Sequence, residues 1–514
     1  MCFKSNRSTS RSMHLFITII YLLHLSSGHS EKEYSLLLIS FDGFRWNYLT
    51  ETHAEIPTLK KLMESGVYAK DGLKNVFPTN TLPNHWSMVT GLYPESHGVL
   101  DNYIKDPNIS KPFIPKFIQP DYQNDPRYYD AGGEPIWVTN QFQKSHGRSG
   151  SIMWWGSENL VKFMKPTLTM SYEDNILFNQ AVDTIVNWFT SEFPINLGLL
   201  YFPEPDSTGH KYGPNSVNIT KKIEEVDNGL KYLLAKLAEK DLLDDINIII
   251  TSDHGMSEIT KENFIDLNDI VDPASFEYLG SGNGPYSSLS IFPKEGKLDE
   301  VYNQLKSQSE SKNYQVFKAE EIPDRFNYKH NKRVPPILAL AKPKYSFILG
   351  DVTLTIGGNH GYDNEVKDMH PFFIATGPSF KKGFSIDSLN TVDLYPLMCH
   401  LLGLHPAPNN GSMKNVSQLL QEGPENTIWT FGTYILVLIV IGSVGGVFTV
   451  AACRHHRYLK RRRGPLPATI KYSTPGGAAK AALLSADDDD DDEFDDANDN
   501  TTDDKMLELV TTKW

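Results

Sequence analysis

Cysteine is nearly absent: the 514 residues hold three, Cys2, Cys399 and Cys453. A small scaffold stapled by disulfides is therefore excluded, and so is a thiolate metal cluster. Positive charge is also short. The formal net charge of −14 denies the chain the basic field that holds a nucleic-acid duplex by its phosphates, so no duplex binding is expected. No repeat of solenoid period is present. With 40% hydrophobic and 22% charged residues, the composition excludes a wholly disordered, collagen-like or multi-span membrane chain.

Long apolar runs are confined to two places. Lys4, Arg7 and Arg11 precede an apolar stretch over 13–25, which ends at the small residues Ser26, Ser27 and Gly28. A basic flank, a short apolar core and a small-residue exit predict a signal peptide over 1–28. The second run, 428–453, carries no charge, has Trp429 and Tyr434 towards its start, and is followed by Arg454, Arg457 and Lys460 to Arg463. This predicts one transmembrane helix with a stop-transfer signal. The chain thus reads as a single-pass type I protein of the plasma membrane, its main domain extracellular. Residues 454–514 contain the acidic run 487–493 and are expected to be a disordered cytoplasmic tail, either simply solvated or a docking segment for a cytosolic adaptor. Sequons at Asn108, Asn218, Asn410 and Asn415 agree with a glycosylated outer domain.

Between these runs the pattern is α/β. Residues 35–41 (SLLLISF), 196–202 (NLGLLYF), 246–251 (INIIIT) and 372–375 are continuous apolar runs, as strands covered on both faces require. Helical periodicity falls between them, at 175–189 and 220–239 for example. A largely parallel central sheet follows. Residues 258–345 are more polar and read as an insertion that caps the site.

Polar residues follow these strands. Asp42 ends the first, Asp206 comes shortly after the second, and Asp253 and His254 end the third. In open α/β sheets ligands gather outside the carboxyl ends of the strands, so these residues point to one crevice. Asp206 and His210 are one helical turn apart, and His360 lies among glycines in GGNHGYDN. Imidazole with carboxylate and no thiolate suits zinc in a catalytic site. Each motif alone is more often an ordinary turn or cap, and only together, at the ends of expected strands, do they argue for two metals. Thr81, in the segment 77–85 (FPTNTLPNH), fits a metal-activated nucleophile or a plain helix N-cap. His85, His97 and His370 carry no assignment beyond structure, and Cys399, within an apolar run, reads as a buried free thiol.

Taken together these segments resemble the ectonucleotide pyrophosphatase/phosphodiesterase family of the alkaline-phosphatase superfamily. The likeness is carried by LLLISFDGFRW around Asp42, NVFPTNTLPNHWSMVTGLYPESHGVLDN up to Asn102, EPDSTGHKYGP around Asp206, ITSDHGM around Asp253, GGNHGYDN around His360, and LYPLMCHLLGLHPAPNNGS near the domain end. The resemblance implies an alkaline-phosphatase-like three-layer catalytic domain over 34–417 with two Zn2+. It implies that Asp206, His210 and His360 hold one zinc, and that Asp42, Asp253 and His254 hold the other with the Thr81 oxygen. Thr81 is then the nucleophile, and Asn102 with the Thr81 N–H holds a phosphate oxygen. Trp154 and Tyr201 match aromatics of the family's substrate pocket, although plain core packing explains both equally. The implied activity is hydrolysis of phosphodiester or pyrophosphate bonds in extracellular nucleotides or dinucleotides through a phospho-threonine. Leu82 and Pro166 stand where nucleotide-hydrolysing relatives place stacking aromatics, and Asn80 where many have Lys. A choline-phosphodiester or lipid phosphodiesterase is therefore the alternative, and a non-enzymatic adhesion or signalling receptor on the same fold a further one.

Overall fold

A run apolar on both faces is buried only if helices cover both sides of its sheet, and Ser35–Phe41 occupies such a place. A computed structural model describes residues 33–51, 53–114, 125–173, 175–352, 357–421 and 449–461. The expected signal peptide and nearly all of the acidic tail lie outside these residues, as does the expected span apart from 449–453. Among the described residues no helix is long and apolar enough to cross a membrane. The chain divides into two units, Met1–Gly423 and Pro424–Trp514. In the second, 449–461 forms an exposed helix.

The first unit is built on an eight-stranded sheet in the order Phe384–Ile386, Val67–Ala69, Phe373–Thr376, Ile246–Thr251, Ser35–Phe41, Leu197–Phe202, Ser149–Ile152, Leu168–Met170. From Ile246–Thr251 to Leu168–Met170 all neighbours are parallel. Only Phe373–Thr376 runs against both of its neighbours. The mostly parallel, alkaline-phosphatase-like α/β architecture is thus present.

The three layers follow from side-chain alternation along a strand. Gly150 and Gly198 are register partners, and a Cβ on either would strike the helix Phe178–Phe189, at Trp188 or Phe189. Ser149, one residue along, points the other way and accepts a bond from Asn140 Nδ2 of the helix Ile136–Gln143 at 3.1 Å. The helix Val217–Glu239 buries Ile219, Ile223, Val226, Leu230, Leu233 and Leu237, a helical stripe of apolar residues. It starts earlier than its periodicity predicts because Ser216 caps it, accepting from Ile219 N at 3.3 Å. The neighbouring helix starts at Phe178 rather than 175, since Asn175 takes φ +70°, outside the helical region.

Within the expected insertion a four-stranded antiparallel sheet forms in the order Phe276–Leu279, Ser288–Pro293, Ile337–Ala341, Tyr314–Lys318, with the helix Leu298–Gln308 against it. Its core, which includes Leu289, Ile291, Val301, Val316 and Ile337, is separate from that of the main sheet.

Candidate active site

Three neighbouring parallel strands deliver three carboxylates to one end of the sheet. Asp42 follows Ser35–Phe41 directly, Asp253 follows Ile246–Thr251, and Asp206 opens the short helix Asp206–Tyr212 after Leu197–Phe202. The turn after Asp42 requires glycine. Gly43 has φ +69°, and a Cβ there would sit 2.8 Å from the Cα of Asp206.

Histidines complete two groups of potential ligands, Asp42 with Asp253 and His254, and Asp206 with His254 and His360. In the first, His254 Nε2 lies 3.3 Å from Asp42 Oδ1 and 3.2 Å from Asp253 Oδ2. In the second, His360 Nε2 lies 3.7 Å from Asp206 Oδ1. His210, the expected third member, is adjacent: its Nε2 is 3.4 Å from Asp206 Oδ2 and 3.1 Å from His360 Nε2. His254 joins the two groups, its ring stacked on that of His360 with centroids 3.6 Å apart.

Two observations show that these residues fit cations. First, buried carboxylate oxygens of all three acids, Asp42 Oδ1, Asp206 Oδ1 and Asp253 Oδ2, have no hydrogen-bond donor. Second, every imidazole turns Nδ1 to a backbone carbonyl: His210 to Gly358 at 2.9 Å, His254 to Gly255 at 2.9 Å, His360 to Thr79 at 3.0 Å. A carbonyl only accepts, so each Nδ1 carries the proton and each Nε2 presents a lone pair. Protonating His360 would not supply the missing charge. Burial, then the neighbouring His254 and His210, holds His360 well below the ordinary imidazole range. Burial, then the charges of Asp253 and Asp206, drives the Asp42 carboxyl well above its ordinary value. A divalent cation satisfies both sets at once.

Thr81 is the first residue of the helix Thr81–Thr90, and Asn80 takes the N-cap position, so the reading of Thr81 as a cap does not hold. Asn80 does not cap with its side chain; its Nδ2 donates to Asp101 at 2.6 Å. The Thr81 hydroxyl is buried, 3.4 Å from His254 Nε2. Asn102 accepts from Leu82 N through Oδ1 at 2.9 Å, which leaves its NH2 as the group free to donate. Asp101, buried beside it, has its carboxyl pushed up to about 6 by desolvation.

His85 is a residue that sequence reasoning left structural. It sits one turn after Thr81, donating from Nδ1 to Thr81 O at 2.7 Å and meeting Ser40 Oγ through Nε2 at 2.9 Å. Asp253 Oδ2 is 3.5 Å away. The four-residue spacing from Thr81 was the available signal. His97 bonds Ser87 Oγ at 3.0 Å, and His370 faces the carbonyls of Asp71 and Asn364.

The two aromatics matched to the family's substrate pocket, Trp154 and Tyr201, are both buried. Trp154 is 1% exposed, edge-on to His85, and has no face open to a ligand. Tyr201 is buried behind Asp42 and donates to its Oδ2 at 2.5 Å. A ring at the end of a central strand is used there to fill the core and orient a carboxylate. Cys399 is buried in the helix Leu394–Leu401, and burial pushes its thiol up to about 12, leaving it inert.

An alkaline-phosphatase-like sheet with two carboxylate–imidazole groups beside a helix-borne threonine defines the class, a hydrolase domain built to hold metal. A family model described as type I phosphodiesterase / nucleotide pyrophosphatase matches residues 36–363, and the chain belongs to that family. It is 40% identical over 423 residues to human ectonucleotide pyrophosphatase/phosphodiesterase family member 5, covering 81% of this chain and 85% of that protein. It is 37% identical over 434 residues to bovine bis(5′-adenosyl)-triphosphatase ENPP4, covering 84% and 90%. Among solved structures it is similar to an inactive threonine-to-alanine form of murine family member 5 in complex with AMP. There the TM-score is 0.71 at 40% identity, covering 76% of this chain and all of that one.

Proposed function

We propose that the protein is a zinc-dependent extracellular hydrolase of phosphodiester or pyrophosphate bonds in nucleotides or dinucleotides, acting through a phospho-threonine on Thr81. The observation that carries this is the pairing of donorless carboxylate oxygens with three imidazole Nε2 lone pairs around a buried threonine at a helix N-terminus. The relatives supply the substrate class, since one is named a bis(5′-adenosyl)-triphosphatase and another is complexed with AMP.

In this reading Asp206, His210 and His360 hold one ion, and Asp42, Asp253 and His254 hold the other beside Thr81. When bound, the pair lowers the pKa of a hydroxyl or water and offsets the charge on attacking and leaving oxygens. The protein's own groups do the rest. The N-terminus of Thr81–Thr90 directs the Thr81 N–H and the helix dipole at a phosphate, the Leu82 N–H being held by Asn102 and Pro83 having none. Asn102 donates to a non-bridging oxygen, where charge grows as the reaction proceeds. Thr81 Oγ bonds to phosphorus as the bond to the leaving oxygen breaks and the hydroxyl proton is lost; water then attacks the same phosphorus, releasing the phosphomonoester and returning a proton to Thr81 Oγ. Tyr201 and His85 keep Asp42 and the first helical turn in place. The signal-peptide and span patterns at 1–28 and 428–453 support the extracellular, membrane-anchored placement.

The test is turnover by the purified chain with zinc of a dinucleoside polyphosphate, a nucleoside triphosphate and a choline phosphodiester, with Thr81→Ala as control. Turnover of the nucleotides that is lost in the variant bears the proposal out. Turnover of the choline compound alone moves the substrate to lipids, and silence on all three rejects an enzyme.

A further inference from the structure

Residues of the expected cap are also buried against the segments that carry the reacting groups. A small apolar cluster joins Phe326, Tyr328, Leu338 and Leu340 of the insertion to Phe77 and Leu100. Phe77, which leads into Thr81, stacks on Phe326 with centroids 3.9 Å apart. Leu100 stands two residues before Asn102.

Arg333 is the polar counterpart of that cluster, its side chain 2% exposed. Nε donates to Asp106 Oδ2 at 2.6 Å, and Nη1 to the carbonyls of Gly98 at 2.6 Å and Tyr128 at 2.9 Å. Nη2 donates to Arg127 O at 3.0 Å, and the guanidinium lies over the Tyr128 ring. Gly98 and Asp106 stand four residues before and four after Asn102. One rigid fork therefore grips both shoulders of the loop that presents the Asn102 amide. Gly98 takes φ +78°, and a Cβ there would come within 3.1 Å of Arg333 Nη1, so the approach leaves no slack.

We infer that Arg333 is a positioning residue for phosphoryl transfer, holding the Asn102 loop in register with Thr81. This rests on the reading of Asn102 as the donor to a phosphate oxygen. A flexible lysine keeps the charge but cannot reach four acceptors in one plane, so the loop would drift while the metal ligands stay in place. Small displacements of a positioning group cost rate rather than binding.

The test is a double-mutant cycle on the full chain loaded with zinc, with bis(p-nitrophenyl) phosphate as substrate. Arg333→Lys should lower kcat roughly ten- to hundredfold. KM should stay within about a factor of two and zinc content should not change. In an Asn102→Ala background the same substitution should cost no more than about a further factor of two, because the group it positions is gone. Losses that multiply, or an unchanged kcat for Arg333→Lys, overturn the inference. If Arg333→Lys does not fold, Asp106→Asn replaces it in the same cycle, removing the carboxylate while leaving the three carbonyl contacts. An Asn102→Ala chain as fast as wild type would reject the reading of Asn102 itself. A slow Asn102→Ala chain with multiplying losses rejects only the role of Arg333.

Discussion

His210 Nε2 and His360 Nε2 face each other at 3.1 Å, and both rings donate from Nδ1 to the carbonyls of Gly358 and Thr79. Two lone pairs at that distance repel unless something positive lies between them. Two nitrogens on one tetrahedral zinc, each at about 2.0–2.1 Å, stand roughly 3.3 Å apart, close to what is seen.

That relationship predicts the metal content. The wild-type chain should carry two zinc ions by elemental analysis, and His360→Ala should carry one. Ions held there would bind the folded state and relieve the buried carboxylates, so a chelator should lower the melting temperature. An unaffected melting curve would show that the ligand groups are stable without ions.

Thr81→Ala should retain both ions and lose more than about a thousandfold in kcat, as expected when a nucleophile is removed from a concerted set. Rapid-quench trapping of radiolabelled phosphate on the chain should succeed with wild type and fail with the variant. Labelling of Thr81→Ala at wild-type level would place the nucleophile elsewhere.

Gly43→Ala tests the backbone rather than a ligand. The new Cβ would stand 2.8 Å from Asp206 Cα in a left-handed turn, so the Asp42 and Asp206 loops must separate. Zinc affinity should fall at least tenfold while the circular dichroism spectrum is kept. Wild-type affinity would mean that the turn accommodates a methyl group.

His97 predicts an acid response. Burial holds it neutral down to about 3, whereas in the unfolded chain it takes a proton near the ordinary histidine value of 6.5. Between those values the unfolded state binds more protons, so stability falls as pH drops through that window. Denaturation midpoints of the metal-free protein from pH 7 to pH 4.5 should fall less steeply in His97→Gln. Parallel curves would show that His97 does not contribute.

Several features were legible because they are local. The continuous apolar runs at 35–41 and 246–251 are strands Ser35–Phe41 and Ile246–Thr251, and the polar residues after them meet at one sheet end. A strand's periodicity and the turn that follows it are encoded within a few residues. Trp154 and Tyr201 were not legible in this way, because a sequence does not say which side of a strand end faces a crevice and which faces the core. The contacts of His85 were not legible for a related reason: its partners, Ser40 and Asp253, lie far along the chain.

The sequence by itself determined the α/β alternation, the glycine after Asp42 and the inventory of ligand types, since each follows from local periodicity, backbone sterics or side-chain chemistry. Only the tertiary structure decided that His254 stands between the two ligand groups, that Tyr201 supports Asp42, and that the insertion braces Phe77 and Gly98. Those relations depend on segments separated by up to hundreds of residues meeting at distances of a few ångströms, and no local pattern specifies such a meeting.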